Sequence, residues 1–222
     1  MLRVGLTGGL GSGKSTAAKL FAAHGAQVLQ SDEMGREMME PGQLVYAEIV
    51  ARFGEAVLPN GRLDRSALAR IAFAEGRAEE LNAIVHPAVI ARQRELIEDI
   101  ARRNPAAVVI VESALIFEAS RGGASTDGGA MDWRERFDRL ILVTAPDDVK
   151  IARFVRRCFG EGEIPEAERI ELEAEARLRL ARQIPDEQKI AACDYVLTND
   201  GAITELEWQV DQLWPILRLA AR

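Results

Sequence analysis

Eight consecutive residues, Gly8-Gly9-Leu10-Gly11-Ser12-Gly13-Lys14-Ser15, fit the pattern Gly-x-x-x-x-Gly-Lys-Ser/Thr, the loop that wraps nucleotide phosphates. Each residue type there has a task. Glycines allow positive φ and let successive backbone N–H groups approach an anion with no Cβ between them. Lys14 is a mobile point charge for the β and γ phosphates, and the Ser15 hydroxyl suits Mg²⁺. The positive end of a helix beginning here adds its partial charge. The plain alternative is a Gly-rich turn with a solvated lysine. Context argues against it, because the apolar run Leu2 to Leu6 precedes the loop and the helix-compatible stretch Ser15 to His24 follows.

Two carboxylates stand where such a loop would use them. Asp32 follows the apolar run Gln27 to Leu29, where a phosphotransferase needs a group to orient an attacking hydroxyl or take its proton. It could equally be the N-cap of a helix over Glu33 to Met39. Glu112 ends the run Ala107 to Val111 and is placed to hold Mg²⁺, either directly or through water; the alternative is an acid facing solvent at a strand end. Glu118 is a weaker candidate. Arginines gather later in the chain, Arg153, Arg156 and Arg157, then Arg177, Arg179 and Arg182, among many Glu residues. A guanidinium on a closing lid can stabilise a transferring phosphoryl group, although most of such a run is a solvated face.

These residues need a scaffold. Short Val/Ile/Leu-rich runs at Leu2 to Leu6, Gln27 to Leu29, Ala107 to Val111, Leu140 to Val143 and Tyr195 to Leu197 alternate with helical segments. The pattern predicts an α/β fold, a five-stranded parallel sheet flanked by helices, with ligands beyond the carboxyl ends of the strands. Helical periodicity over Gln43 to Phe53, Asp64 to Glu75 and Arg77 to Arg102, with breaks at Pro59-Asn60-Gly61 and at Pro87, predicts a helical region beside the sheet. Gly160 to Gln183 reads as a mobile helical lid hinged at Gly160 and Gly162, and residues 119 to 132 as a flexible surface loop.

Whole-chain properties set limits. The 222 residues, 48% hydrophobic and 28% charged, suit one globular domain with insertions or a lid. A net charge of −7 argues against a nucleic-acid partner. No apolar run approaches the roughly 20 residues of a membrane span, and the N-terminus does not read as a signal peptide, so the expectation is a cytoplasmic protein with no membrane partner. Cys158 and Cys193 lack metal-ligand spacing and read as incidental thiols. His24 suits the end of a helix.

The chain resembles the dephospho-coenzyme A kinase family over nearly its whole length. The resemblance is carried by Gly5-Leu6-Thr7-Gly8-Gly9 through Ser15, Asp32 with Arg36, Gly61-Arg62-Leu63-Asp64-Arg65 with Leu68 and Phe73, His86-Pro87, and Leu115-Ile116-Phe117-Glu118. It continues through Arg153, Arg157, Arg179-Leu180-Ala181-Arg182-Gln183, Lys189 and Cys193 to Gly201. It implies a nucleoside-monophosphate-kinase-like P-loop fold and phosphate transfer from ATP, with Mg²⁺, to the ribose 3′-hydroxyl of dephospho-coenzyme A. One domain over 1–222 would contain an acceptor-binding helical region near 33–104 and a lid near 147–185. Carried over by position, Asp32, Lys14 and Arg153 are catalytic, and Gly9, Leu10, Gly11, Ser12, Gly13, Lys14, Ser15 and Thr16 hold ATP, with Asn199 near its adenine. Asp32, Arg36, Arg65, His86 and Pro87 serve the acceptor, and Ser15 and Glu112 the metal. Oligomeric state is left open.

Three departures accompany the resemblance. Gln30-Ser31-Asp32 replaces the usual Asp-Ala-Asp, and Glu112-Ser113-Ala114-Leu115-Ile116 replaces Asp-x-Pro-Leu-Leu. The stretches Ser120 to Asp132 and Cys158 to Glu168 are longer than usual. Two other readings stand beside the kinase: another small-molecule kinase of the same fold, and a nucleotide-gated switch. Guanine-reading switches carry Asn-Lys-x-Asp, and Asn199-Asp200-Gly201 lacks the lysine.

Overall fold

The computed structural model describes residues 1–54, 60–74, 76–121, 132–160 and 162–222, with the side chains of 73, 74, 120 and 121 left aside. In chain order the elements are β1 (Leu2–Thr7), α1 (Lys14–Ala23), β2 (Gln27–Gln30), α2 (Ser31–Met38), α3 (Leu44–Arg52), α4 (Arg65–Ala74), α5 (Ala78–Arg103), β3 (Val108–Glu112) and α6 (Ile116–Arg121). They continue as α7 (Trp133–Arg136), β4 (Arg139–Thr144), α8 (Asp147–Phe159), α9 (Glu166–Ala181), α10 (Asp186–Ile190), β5 (Tyr195–Thr198) and α11 (Ile203–Ala220). The described residues form two compact units, Met1–Leu29 with Ile100–Glu118 and residues 132–222, and Gln30–Asp99.

The first unit is built on a parallel sheet of order β2-β3-β1-β4-β5. Register runs Val4 to Ile110 on one side of β1 and Leu6 to Ile141 on the other. With β1 central, the chain leaves it in both directions, so the glycine loop after Thr7 opens at the point where strand order reverses. The inner strands β1, β3 and β4 are largely apolar and buried because both of their faces are covered, whereas the edge strands β2 and β5 are partly exposed. Leu2, Val4, Leu6, Ile110, Ile141 and Val143 pack with Ala17 and Phe21 of α1 and with Leu206, Val210, Leu213 and Leu217 of α11. The spacing 206, 210, 213, 217 is one stripe of a helix. On the outer strand, Gln209 of α11 closes the end of β5, its side-chain amide accepting from Thr198 N–H (2.9 Å) and donating to Thr198 O (2.8 Å).

All five expected strands form. Several extend one residue further, to Gln30, Glu112, Thr144 and Thr198, because ladder pairing continues past the apolar run into a polar terminal residue. His24 caps α1, bonded to Asp211 at 2.7 Å and stacked on Trp214.

The second unit is helical. Val45, Ile49, Phe53, Leu68 and Ile71 form its core, with Leu81, Ile84, Val85 and Ala88 of α5 packed against them. Asp64 N-caps α4, its carboxylate accepting from Ser66 N–H (2.9 Å) and Ala67 N–H (3.0 Å). The expected break at Pro87 does not occur, since α5 runs through it. Proline removes one intrahelical donor, but residues on both sides of it belong to one packed face, and that burial outweighs a single lost bond. The segment 55–59, which includes Pro59, lies outside the described residues, as does most of the glycine-rich stretch 119–132. Of that stretch, residues 119–121 are helical in α6, contrary to the surface loop expected for them, and Asp132 N-caps α7.

Candidate active site

The loop from Gly8 to Gly13 is shaped by what surrounds it. Gly11 has φ +71° and Gly13 φ +94°, conformations that L side chains rarely adopt. Space excludes a side chain as firmly: a Cβ on Gly11 would lie 2.3 Å from Lys150 O, and one on Gly13 2.0 Å from Asn199 Nδ2. Gly13 is the N-cap of α1, and no acid stands in the first turn of that helix, so its positive end faces the loop uncompensated. Lys14 begins the helix, and its Nζ donates to Gly9 O at 3.1 Å. Thr7 Oγ1 and Ser12 Oγ are buried with no hydrogen-bond partner among the described residues. Positive-φ glycines, orphaned hydroxyls, an ammonium and a bare helix end together fit a polyphosphate.

Ser15 and Glu112 come together as the sequence suggests. Ser15 Oγ donates to Glu112 Oε1 at 2.8 Å, and Glu112 is only 8% exposed, so it is not a strand-end acid turned to solvent. One hydroxyl and one carboxylate suit Mg²⁺, which keeps several waters and takes few protein ligands. No larger group of acids, histidines or cysteines arranged for a metal occurs among the described residues.

Asn199 sits beneath the loop, 8% exposed, donating from Nδ2 to Ser12 O at 2.8 Å. Its backbone carbonyl accepts from Arg153 Nη1 at 2.7 Å. In this arrangement Asn199 braces the phosphate loop and Arg153 braces Asn199. Arg177 and Arg179 bond Glu173 and Glu175 along α9, and Arg157 and Arg179 lie over the Phe154 ring. Arg153 is thus tied to the loop through Asn199.

Among the groups near the loop, only Glu118 has a candidate role in the sequence, as the weaker metal acid. Lys150, buried in α8, bonds Asp186 (2.7 Å) and Asp147 (3.1 Å). Burial would lower its ammonium pKa, but bonds and charge from those two carboxylates outweigh it and hold the group above its ordinary value. Asp186 also accepts from Thr144 Oγ1 at 2.7 Å. Glu118 Oε1 accepts from Ile184 N–H (3.0 Å) and lies 3.4 Å from the buried Lys189 Nζ. Gln183 Oε1 accepts from Leu10 N–H at 3.0 Å. The available signal was that Lys189, Glu118 and Gln183 all fall inside family motif pieces.

In the helical unit, Asp32 is the second residue of α2 and not its N-cap, because Gln30 takes that place. The helix begins two residues earlier than the N-cap reading requires, and its first turn is tied down by Gln93, 3% exposed, which donates to Ser31 Oγ at 2.8 Å. Asp32 and Arg36, both exposed, share a face of α2 at i and i+4. That helix packs on α5 at Gly35, where an added Cβ would touch Val85 and Val89. His86, half-buried, and Pro87, exposed, are neighbours on α5. Arg65 opens α4 with Nη2 donating to Glu40 at 3.0 Å, and Glu40 also holds Arg62.

A central β1 delivering a phosphate loop into the first helix of a parallel sheet defines a P-loop kinase fold. Comparison with known proteins narrows the class. The dephospho-CoA kinase model matches residues 2–205, and the chain belongs to that family. A dephospho-CoA kinase of Thermobifida fusca is 38% identical over 220 residues, covering 98% of this chain and 97% of its own. Another, of Moorella thermoacetica, is 41% identical over 220 residues, covering 98% and 93%. The crystal structure of TT1252 from Thermus thermophilus matches with a TM-score of 0.71 at 32% identity, over 97% of each chain.

Proposed function

We propose that the chain transfers a phosphoryl group from ATP to the ribose 3′-hydroxyl of dephospho-coenzyme A, giving coenzyme A and ADP, in the cytoplasm. The observation that carries this reading is the Ser15–Glu112 contact at the mouth of a loop whose Gly8, Gly11 and Gly13 cannot accept a side chain. In the stretch Gly9 to Thr16, the backbone N–H groups not already bonded within the protein, as those of Leu10, Ser12 and Thr16 are, hold the phosphates together with the end of α1, and the Lys14 ammonium neutralises charge as the bond to the leaving oxygen lengthens. Ser15 and Glu112 would hold Mg²⁺, which would supply positive charge to offset that of the phosphates.

Asp32, at the head of α2 directly after β2, accepts the proton of the attacking hydroxyl. Arg36, Arg65, His86 and Pro87 shape the acceptor side, which places acceptor binding in the helical region 33–104. Arg65 is held by Glu40 in the structure, so an anionic acceptor would compete with that carboxylate. Residues 147–185 act as the lid, with Arg153 at its base facing the ATP side. Asn199 supports the loop from below and thereby the bound nucleotide.

The experiment is an acceptor assay. Purified protein with ATP and Mg²⁺ should form coenzyme A from dephospho-coenzyme A, detected by mass. Shikimate and nucleoside acceptors should give no ADP above background. Asp32→Asn should keep ATP affinity within about twofold while turnover falls by about 10² or more, the range general-base removal covers. ADP release independent of any acceptor would replace the kinase reading with a nucleotide switch.

A further inference from the structure

The Gly9–Leu10 peptide is gripped from both sides. Its carbonyl, Gly9 O, accepts from Lys14 Nζ (3.1 Å) and from Ser12 N–H (3.2 Å). Its N–H, on Leu10, donates to Gln183 Oε1 at 3.0 Å. One peptide plane therefore links the ammonium of the phosphate loop to a side chain 173 residues away. Gln183 itself is anchored. Its own N–H bonds Leu180 O, the next amide bonds Glu118, and Asp186 bonds Thr144 and Lys150.

We infer that Gln183 is a positioning residue for nucleotide binding: by holding the Leu10 N–H it fixes the Gly9–Leu10 peptide plane, and through Gly9 O it aims the Lys14 ammonium. The inference rests on the reading of this loop as an ATP site. Gly9 has no side chain to oppose rotation of that peptide. Without an acceptor on the N–H side, the plane can turn, carrying the carbonyl away from Lys14. A glutamine suits the task chemically, since its amide oxygen accepts the N–H while bringing no negative charge beside incoming phosphates. A Cβ on Gly9 would lie 3.4 Å from Gln183 Oε1 and 3.5 Å from Leu180 Cδ2, so the end of α9 and Gln183 beyond it lie in van der Waals reach of the loop.

The test measures ATP binding without acceptor, by calorimetry, in a cycle of wild type, Gln183→Ala, Lys14→Met and the double variant. Loss of one neutral hydrogen bond predicts that Gln183→Ala weakens ATP binding by about two- to tenfold. In the Lys14→Met background the same change should cost less than about twofold, because its effect passes through the ammonium. Gln183→Asn, one methylene shorter, should behave as the alanine variant. Equal costs in both backgrounds, or a lowered melting temperature with ATP affinity unchanged, would overturn the inference and leave Gln183 a structural tie. A wild-type protein that binds ATP but ignores dephospho-coenzyme A would sink the proposed reaction and leave this cycle fully interpretable.

Discussion

Removing the Asn199 side chain should destabilise the protein and loosen its phosphate loop. Asn199 Nδ2 donates to Ser12 O in a buried setting, so Asn199→Ala strands that carbonyl. Leaving a buried acceptor unmet costs about 1–3 kcal/mol. For a chain of this length each kcal/mol lowers the melting temperature by about 2–4 °C, so a fall of roughly 2–12 °C is expected. Asn199→Asp tests the cause, because it keeps the volume and the Arg153 contact but has no N–H for Ser12. It should remain destabilised. A third variant isolates the space beneath Gly13, where a Cβ would lie 2.0 Å from Nδ2. Gly13→Ala should cost less in the Asn199→Ala background, although the strain of φ +94° persists in both. The assay is urea unfolding followed by circular dichroism, with ATP binding measured in parallel. Wild-type stability in Asn199→Asp, or strictly additive costs in the cycle, would refute the bracing argument. A changed ATP-to-GTP preference with unchanged stability would return Asn199 to the adenine.

Glu112→Gln should raise the Mg²⁺ concentration for half-maximal activity by about tenfold or more while leaving metal-free nucleotide binding nearly unchanged, as a titration of rate against Mg²⁺ would reveal. Burial alone would raise the Asp138 carboxyl, but side-chain and backbone hydrogen bonds from Arg3, with the charges of Arg3 and Arg139, overcome it and hold the group below 3.8. Its stabilisation is complete above that unfolded value and is lost as pH falls through the lower folded one. Asp138→Asn should therefore lower stability at neutral pH and flatten the decline below pH 3.8, measured by urea titration at several pH values. Cys193 is pushed up to about 12, chiefly by burial and by the carboxylates of Asp194 and Asp186 against the pull of Lys189. At pH 8 iodoacetamide should thus label exposed Cys158 well before Cys193, read by peptide mass.

What could be read from sequence was what is local. The phosphate loop occupies eight adjacent residues and its pattern states its own geometry, and the five apolar runs announce the five strands, of which β1, β3 and β4 are largely buried. Glu112 was legible because the carboxyl end of a strand is a defined place, and the structure brings it to Ser15 as that placement implies. Contacts across long separations were not. Gln183 meets Leu10 from another part of the chain, and no periodicity in Gly160 to Gln183 marks that amide among so many charged neighbours. The resemblance puts Asn199 near the adenine, and the bond of its side chain to Ser12 O, 187 residues away, is a contact that no local pattern announces. Pro87 misled because local preference registers a missing donor and cannot register the packed face that carries α5 through it. Asp32 fell inside its helix because Gln93, some sixty residues on, holds Ser31 at the first turn.

The closure of β5 by Gln209 reaches beyond this one fold unit. A parallel sheet whose outermost strand showed bare amides would invite a foreign strand to zip alongside, and enzymes kept at high concentration inside a crowded compartment would then risk polymerising. Here a single glutamine imitates the missing neighbour at Thr198, offering one acceptor and one donor where an incoming backbone would have to dock. Replacing it with a residue lacking both groups would leave that margin open to recruitment, turning a sealed hem into a seam.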